Sequence, residues 1–349
     1  MRREIKDTPE RLVEAGQVNY GWFRRPFTEL NLLDCDNWGW GGRSPRTLRE
    51  FRLKEWQHFA IVHDEVYVSI ALVDAKYLAN SWVCVFDRQE RTSHEHARVV
   101  PMARIRLPGE LWDGRCGFES RGYRVQVHNH LDAGEHIINL DIEARGDRPA
   151  IQGEITLRQD LDAVQPLISV LSMGPGQPFY SHKAPCPVTG TLTVGDRRLD
   201  YDGDWDLALI DIHKAFYPRR TFWKWATFAG RDADGEIIGV NLTRNVIDDE
   251  KHGNENAIWH GSHLSLVGPA RFDVPVEDDD AWRIWTLDQR VELNFTPVGM
   301  RSERINYVLA ESRYRQPFGY YRGHLVDDTG VRHEVDDLFG IAEDHFVTW

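Results

Sequence analysis

Asp211 and His213 stand two residues apart in the run Asp211-Ile-His-Lys-Ala-Phe-Tyr-Pro-Arg-Arg-Thr-Phe-Trp-Lys-Trp225. On a β-strand, side chains two apart share a face, so this spacing lets a carboxylate orient an imidazole for proton transfer. Tyr217 adds a phenol able to donate to a developing oxyanion. Trp223 and Trp225 share a face by the same rule and offer an aromatic wall for a substrate ring. Arg219 and Arg220 follow Tyr217 and can hold an anionic group or neutralise Asp211. Glu255, between Asn254 and Asn256 and ahead of a Trp-bearing strand, is a candidate second acid, although a turn explains Asn-Glu-Asn equally well. A purely structural reading of the same residues has Asp211 capping a turn or pairing with an arginine, and the tryptophans filling a barrel.

Other chemistries find less support. His94-Glu-His96, His128-Asn-His130 and His260-Gly-Ser-His263 each bring two imidazoles close, but zinc needs three or four convergent ligands and no third is identifiable. No metal is expected. Gly-x-Ser-x-Gly, Gly-Lys-Ser/Thr and Gly-x-Gly-x-x-Gly are absent, which demotes lipase-like acyl transfer and nucleotide chemistry, and no cofactor is expected. The acidic run Glu277-Asp-Asp-Asp280 lacks EF-hand spacing and reads as a solvated loop.

The elements that must position these residues are strands. Alternating or β-branched runs occur at 66–73, 123–128, 137–142, 152–157, 237–242, 283–286, 291–295 and 304–309, separated by turn signals such as Asp132-Ala-Gly134, Asp234-Gly235 and Asp328-Thr-Gly330. Short strands at such spacing indicate barrels or sandwiches. A chain of 349 residues predicts two domains. The Gly/Pro cluster 173–178 with Pro185-Cys-Pro187 places the boundary so that one domain covers 1–187 and the other 188–349, because proline cannot donate to a ladder. Aromatic content of 11% with 13 Trp supplies a core, and a net charge of −13 argues against a nucleic-acid partner. The charged start Met1-Arg-Arg-Glu-Ile-Lys lacks a signal-peptide run, and no stretch of 18 apolar residues predicts a transmembrane helix. Cys35, Cys84, Cys116 and Cys186 show no C-x-x-C pattern and read as reduced structural thiols of a cytoplasmic protein. Oligomeric state is open.

A faint repeat runs through the chain. Trp56-Gln-His-Phe-Ala-Ile-Val62 precedes an acidic turn and a strand, as does Trp223-Lys-Trp-Ala-Thr-Phe-Ala229.

Gly21-Trp-Phe-Arg-Arg-Pro-Phe27, Trp56, Pro185-Cys-Pro-Val-Thr-Gly190, Tyr217-Pro-Arg-Arg-Thr-Phe-Trp-Lys-Trp225, Asn254-Glu-Asn-Ala257, Leu293-Asn-Phe-Thr-Pro297, Gln316-Pro-Phe-Gly319 and Phe339-Gly-Ile-Ala-Glu343 occur in this order. In that order and spacing the chain resembles the bacterial family called domain of unknown function 2804. That family is distantly similar to the carotenoid 1,2-hydratase group, whose fold is two tandem lipocalin-like β-barrels. The resemblance implies an all-β chain of two lipocalin-like antiparallel β-barrels in tandem, with apolar cavities and no metal. Hydratases, cyclases and proteins of pericyclic ring closure occur in that wider group. Its Asp-His-Gln motif has only a partial counterpart here, because Ile212 separates the acid from the imidazole and turns both to one face.

Two functions follow as expectations. In the first, the chain is a cofactor-free acid/base enzyme, a lyase of hydratase type or an isomerase or cyclase, acting on an apolar or aromatic small molecule. In the second, it binds or carries a hydrophobic ligand without chemistry.

Overall fold

The computed structural model describes residues 3–36, 45–306 and 311–349. Strands dominate, and among the described residues the one α-helix is the seven-residue Arg46–Arg52. No described helix is long and apolar enough to cross a membrane. The chain divides into two compact units. The first unit comprises Ile5–Val170 with Pro178–Phe216. The second comprises Tyr217–Trp349 with Leu171–Gln177 and the N-terminal residues up to Glu4. Each is built on a curled antiparallel half-barrel sheet, so the all-β, two-barrel expectation holds.

In the first unit the strand order is Thr92–Pro101, Leu78–Asp87, Val66–Asp74, Lys54–Val62, Leu207–Ala215, Pro178–Val194, Ile151–Arg158, Glu135–Ile142, Tyr123–His130 and Gly114–Ser120. All of these neighbours pair antiparallel. Tyr123–His130 alternates buried and more exposed side chains along its length, the pattern of a sheet with one face in the core. Val66–Asp74 and Leu207–Ala215 are buried on nearly every residue, the pattern of a strand covered on both faces. One face carries the apolar core of Phe59, Ile70, Val125, Ile138, Ile155 and Ile210. In Leu207–Ala215 the residues Ala208, Ile210 and Ile212 belong to that core, so Asp211 and His213 lie together on the second buried face.

In the second unit the order is His263–Leu266, Ala257–His260, Ile237–Asn245, Arg220–Arg231, Arg332–Thr348, Glu311–Val326, Val291–Asn306, Trp282–Thr286 and Ala270–Asp273. Phe228, Val240, Trp282, Phe295 and Tyr321 fill its core. Both units share one closure. The first long strand of the unit pairs antiparallel with its last, Lys54–Val62 with Leu207–Ala215 and Arg220–Arg231 with Arg332–Thr348. Of the run expected at 304–309, residues 307–309 lie outside the described residues.

The boundary differs from the expected 187/188. Pro185 and Pro187 sit inside the continuous strand Pro178–Val194, in register with Leu209 and Leu207, and the units divide at Phe216/Tyr217. Two prolines two residues apart send their missing N–H positions to the same side of a strand, while Val188 N on the other alternation donates to Asp206 O. The ladder to Leu207–Ala215 therefore needs no donor from either proline. This strand turns sharply at Gly190, whose φ of +110° and close approach to the Glu154 carbonyl leave no room for a Cβ.

Candidate active site

Asp211 is held at the centre of the first unit's sheet, paired in register with Lys183 on one side and His58 on the other. Its Oδ1 lies 2.7 Å from Lys183 Nζ and 2.6 Å from His213 Nε2. Its Oδ2 accepts a 3.1 Å hydrogen bond from Trp56 Nε1. His213 is in register with Trp56 and stacks on it, ring centroids 4.5 Å apart and planes 19° from parallel. Phe179 closes on the imidazole at 4.8 Å, and Ser181 Oγ stands 3.5 Å from Nε2. Burial would raise the carboxyl pKa, but His213 and then Lys183 outweigh it and hold Asp211 ionised, well below the usual carboxylate range. The result is a desolvated carboxylate that fixes one imidazole nitrogen, with a lysine ammonium beside it and an indole over the ring. Lys54, two residues from Trp56 on the same strand face, is pushed down to about 7 by burial and then by the Lys76 charge, so its amine exchanges protons near neutrality.

Of the residues expected to form the site, Asp211 and His213 meet as the period-2 spacing requires. The strand that carries them is the last of the first unit, not the opening of the second. Tyr217 begins the second unit, where it packs against Trp223 and Trp349 at 6.2 and 5.6 Å between centroids. Trp223 donates through Nε1 to Glu343, and Trp225 donates to Asn241 Oδ1 at 2.6 Å. Arg219 and Arg220 are exposed, and the cation on Asp211 is Lys183. Strand register places Lys183 opposite Asp211. Glu255 is buried, its backbone carbonyl accepts from Asn241 Nδ2 at 2.7 Å, and it lines a small cleft with Thr243, Asn254, Asn256 and Ala270.

Lys183 went unnoticed in the sequence because it stands beside the prolines read as a linker. Trp56 stands in the sequence as part of a repeat and of the family's motif order, and nothing local ties it to a carboxylate 155 positions away.

The core face of the first unit carries a different polar array. His182, Gln159, His136, Asn129 and Gln57 form a hydrogen-bonded chain with links of 2.7, 2.8, 2.9 and 3.4 Å. Burial lowers His136 to about 4 and His182 to about 3, so both are neutral at physiological pH. This array lets polar groups enter the core without charge. His128 and His130 flank Asn129 and stack on each other at 4.9 Å on the opposite face. Among the described residues no three metal-ligating side chains converge. Among the described residues Cys35, Cys84, Cys116 and Cys186 form no disulfide.

The fold is similar to that of CghA crystallised with Sch210972, at a TM-score of 0.56 and 11% identity over 85% of this chain and 88% of that chain. A crystal structure of CghA alone matches with the same TM-score and coverage at 12% identity. Kievitone hydratase from Nectria haematococca matches over the same shares at a TM-score of 0.44 and 9% identity. At these identities the likeness to CghA is one of fold. No curated protein matches the sequence. The model of the family described as Domain of unknown function (DUF2804) matches residues 2–349, and the chain belongs to that family.

Proposed function

We propose that the chain is an enzyme of hydratase, cyclase or isomerase type that works on an apolar or aromatic small molecule by acid/base chemistry at Asp211 and His213. The observation that carries this reading is the buried Lys183–Asp211–His213 cluster. Burying a charge pair costs several kcal/mol per ion before its mutual attraction is counted, and apolar residues of the same size would often stabilise a fold at least as well. Such a cluster is worth its cost where chemistry needs it. In this reading Asp211 stays ionised and fixes His213, which moves the proton. Lys183 stabilises negative charge that develops on the substrate, and Trp56 supplies the ring against which the imidazole is held. Addition of water, ring closure and double-bond shift need only such placed groups and exclusion of bulk solvent. No redox change is involved.

The likeness to CghA adds support, since that fold was crystallised together with a small molecule, Sch210972. Tyr217, Trp223 and Trp349 form a second aromatic group suited to holding rings. Four cysteines outside any disulfide, three of them buried, fit a reducing compartment and hence the cytoplasm. The carrier reading shares all of these binding features and differs in one outcome. Incubation with small-molecule extracts, followed by mass spectrometry, should show a compound replaced by a product of the same mass or of that mass plus one water. A compound that is bound and always recovered unchanged would establish the carrier reading instead.

A further inference from the structure

The second unit repeats the plan of Asp211 and His213 with different residues. On its last long strand Glu343-Asp-His345 has the same acid-x-His spacing, placing both side chains on one face. Trp223 on the neighbouring strand is in register with His345, as Trp56 is with His213. The Trp223 indole N–H donates to Glu343, as that of Trp56 donates to Asp211. The residue two further along is in register with the acid in each case, Trp225 with Glu343 and His58 with Asp211. On the other flank, Tyr314 and Gln316 stand where Ser181 and Lys183 stand in the first unit. Tyr314 is in register with His345, and Gln316 Nε2 donates to Glu343 Oε2 at 2.9 Å. The repeat Trp56-Gln-His58 and Trp223-Lys-Trp225 therefore extends to the acid and the imidazole that complete each site.

The substitutions change the chemistry. The acid's flanking partner is a neutral amide in place of an ammonium. The cation has moved to the imidazole side, where Arg301 lies 5.1 Å over the Tyr314 ring and Tyr314 meets His345 edge-on at 5.0 Å. Burial, and then the Arg301 charge, lowers the His345 pKa to about 3, so its ring is neutral. His345 Nε2 shares a 2.9 Å hydrogen bond with Ser312 Oγ, while Nδ1, buried, has no hydrogen-bond partner among the described residues. A buried nitrogen without a partner costs about as much as a lost hydrogen bond unless a ligand or water meets it. Trp223 lies edge-on to the same imidazole at 4.2 Å.

We propose that Glu343, His345 and Trp223 form a second small-molecule site that takes a neutral aromatic compound bearing a hydroxyl. The ring packs among Trp223 and Tyr314, and the hydroxyl engages Glu343 and His345 Nδ1. Glu343 opposes an anionic ligand and Arg301 a cationic one, which leaves a neutral phenol as the matching class. This inference does not depend on the reaction assigned to Asp211.

The test is calorimetric titration of the full chain with 2-naphthol, and with naphthalene as the analogue lacking the hydroxyl. Wild type should bind 2-naphthol at least about tenfold more tightly than naphthalene, because a site built around a hydroxyl is left with unpaired groups without it. E343Q and W223F should each weaken 2-naphthol binding about tenfold, H345Q should weaken it as well, and D211N should leave it unchanged. W223F keeps an aromatic ring in place and decides the matter if E343Q fails to fold by circular dichroism. Wild-type affinity in both E343Q and W223F, equal affinity for the two probes, or an equal loss in D211N overturns the proposal. Loss of turnover in D211N is a separate reading, so the two proposals can fail independently.

Discussion

The two units place an acid, an imidazole and an indole in the same register, yet in one the acid is held by a cation and in the other by neutral donors. In the first, Asp211 is bound by Lys183 and His213 and remains a carboxylate. In the second, Glu343 takes hydrogen bonds from Trp223 and Gln316, while His345 is held neutral beside Arg301. Closure of the first long strand on the last fixes the geometry in both. A single substitution on the flanking strand, Lys183 against Gln316, then decides whether the acid is met by a cation or by a neutral amide. The frame and the electrostatics are thus set by different residues and can be varied separately.

The largest contrast should appear on removal of those flanking residues. Lys183→Met leaves Asp211 as an uncompensated buried charge and should cost ~3–5 kcal/mol in urea unfolding. Gln316→Met removes one hydrogen bond to Glu343 and should cost ~1–3 kcal/mol. Equal losses would erase the distinction between an ion-paired acid and one held by neutral donors. Next come the indoles. Trp56→Phe and Trp223→Phe each delete a donor to a carboxylate, and each should lose ~1–3 kcal/mol by the same measurement.

Acid separates Asp211 from His345 by pH window. Asp211 has a depressed pKa, so its stabilisation is present above about pH 4, the unfolded value, and is lost as pH falls from there through the folded value. His345 is depressed to about 3, so from about pH 6.5 downward the unfolded chain takes up a proton that the folded chain refuses, and stability falls across that window. His345→Gln should therefore flatten the pH dependence of stability between about 6.5 and 3 by one proton, ~1.4 kcal/mol per pH unit. Asp211→Asn should alter the slope only below about pH 4. Reversal of these windows between the two variants would show that the charges are assigned to the wrong residues. The smallest effect belongs to Arg219→Ala and Arg220→Ala, exposed substitutions expected to change stability by less than ~0.5 kcal/mol and to leave turnover intact.

The pairing of Asp211 with His213 was legible because strand period is local: two residues apart means one face, whatever the fold. Fold class was legible for a similar reason, in alternating runs such as 123–128 and the β-branched, aromatic-bearing run 66–73. Register across the sheet was not. It brings Lys183 and Trp56 to Asp211 from distant positions, and no local pattern states which strand will be the neighbour. Pro185 and Pro187 misled because a strand needs only alternate N–H groups for one ladder, so two prolines in phase do not break it. The fifteen-residue window read as one site spans the division at Phe216/Tyr217. Glu343-Asp-His345 offered the same spacing as Asp211-Ile-His213, and extending the Trp56/Trp223 repeat to an acid-x-His search would have found it.

The most direct measurement is product formation by wild type and Asp211→Asn, compared at equal concentration on an extract fraction that wild type converts. Asparagine keeps the size and the acceptor for Trp56 but removes the charge that fixes His213. The account predicts that the variant still binds the compound and forms no product above background. Product formation at the wild-type rate by a folded Asp211→Asn protein would contradict it.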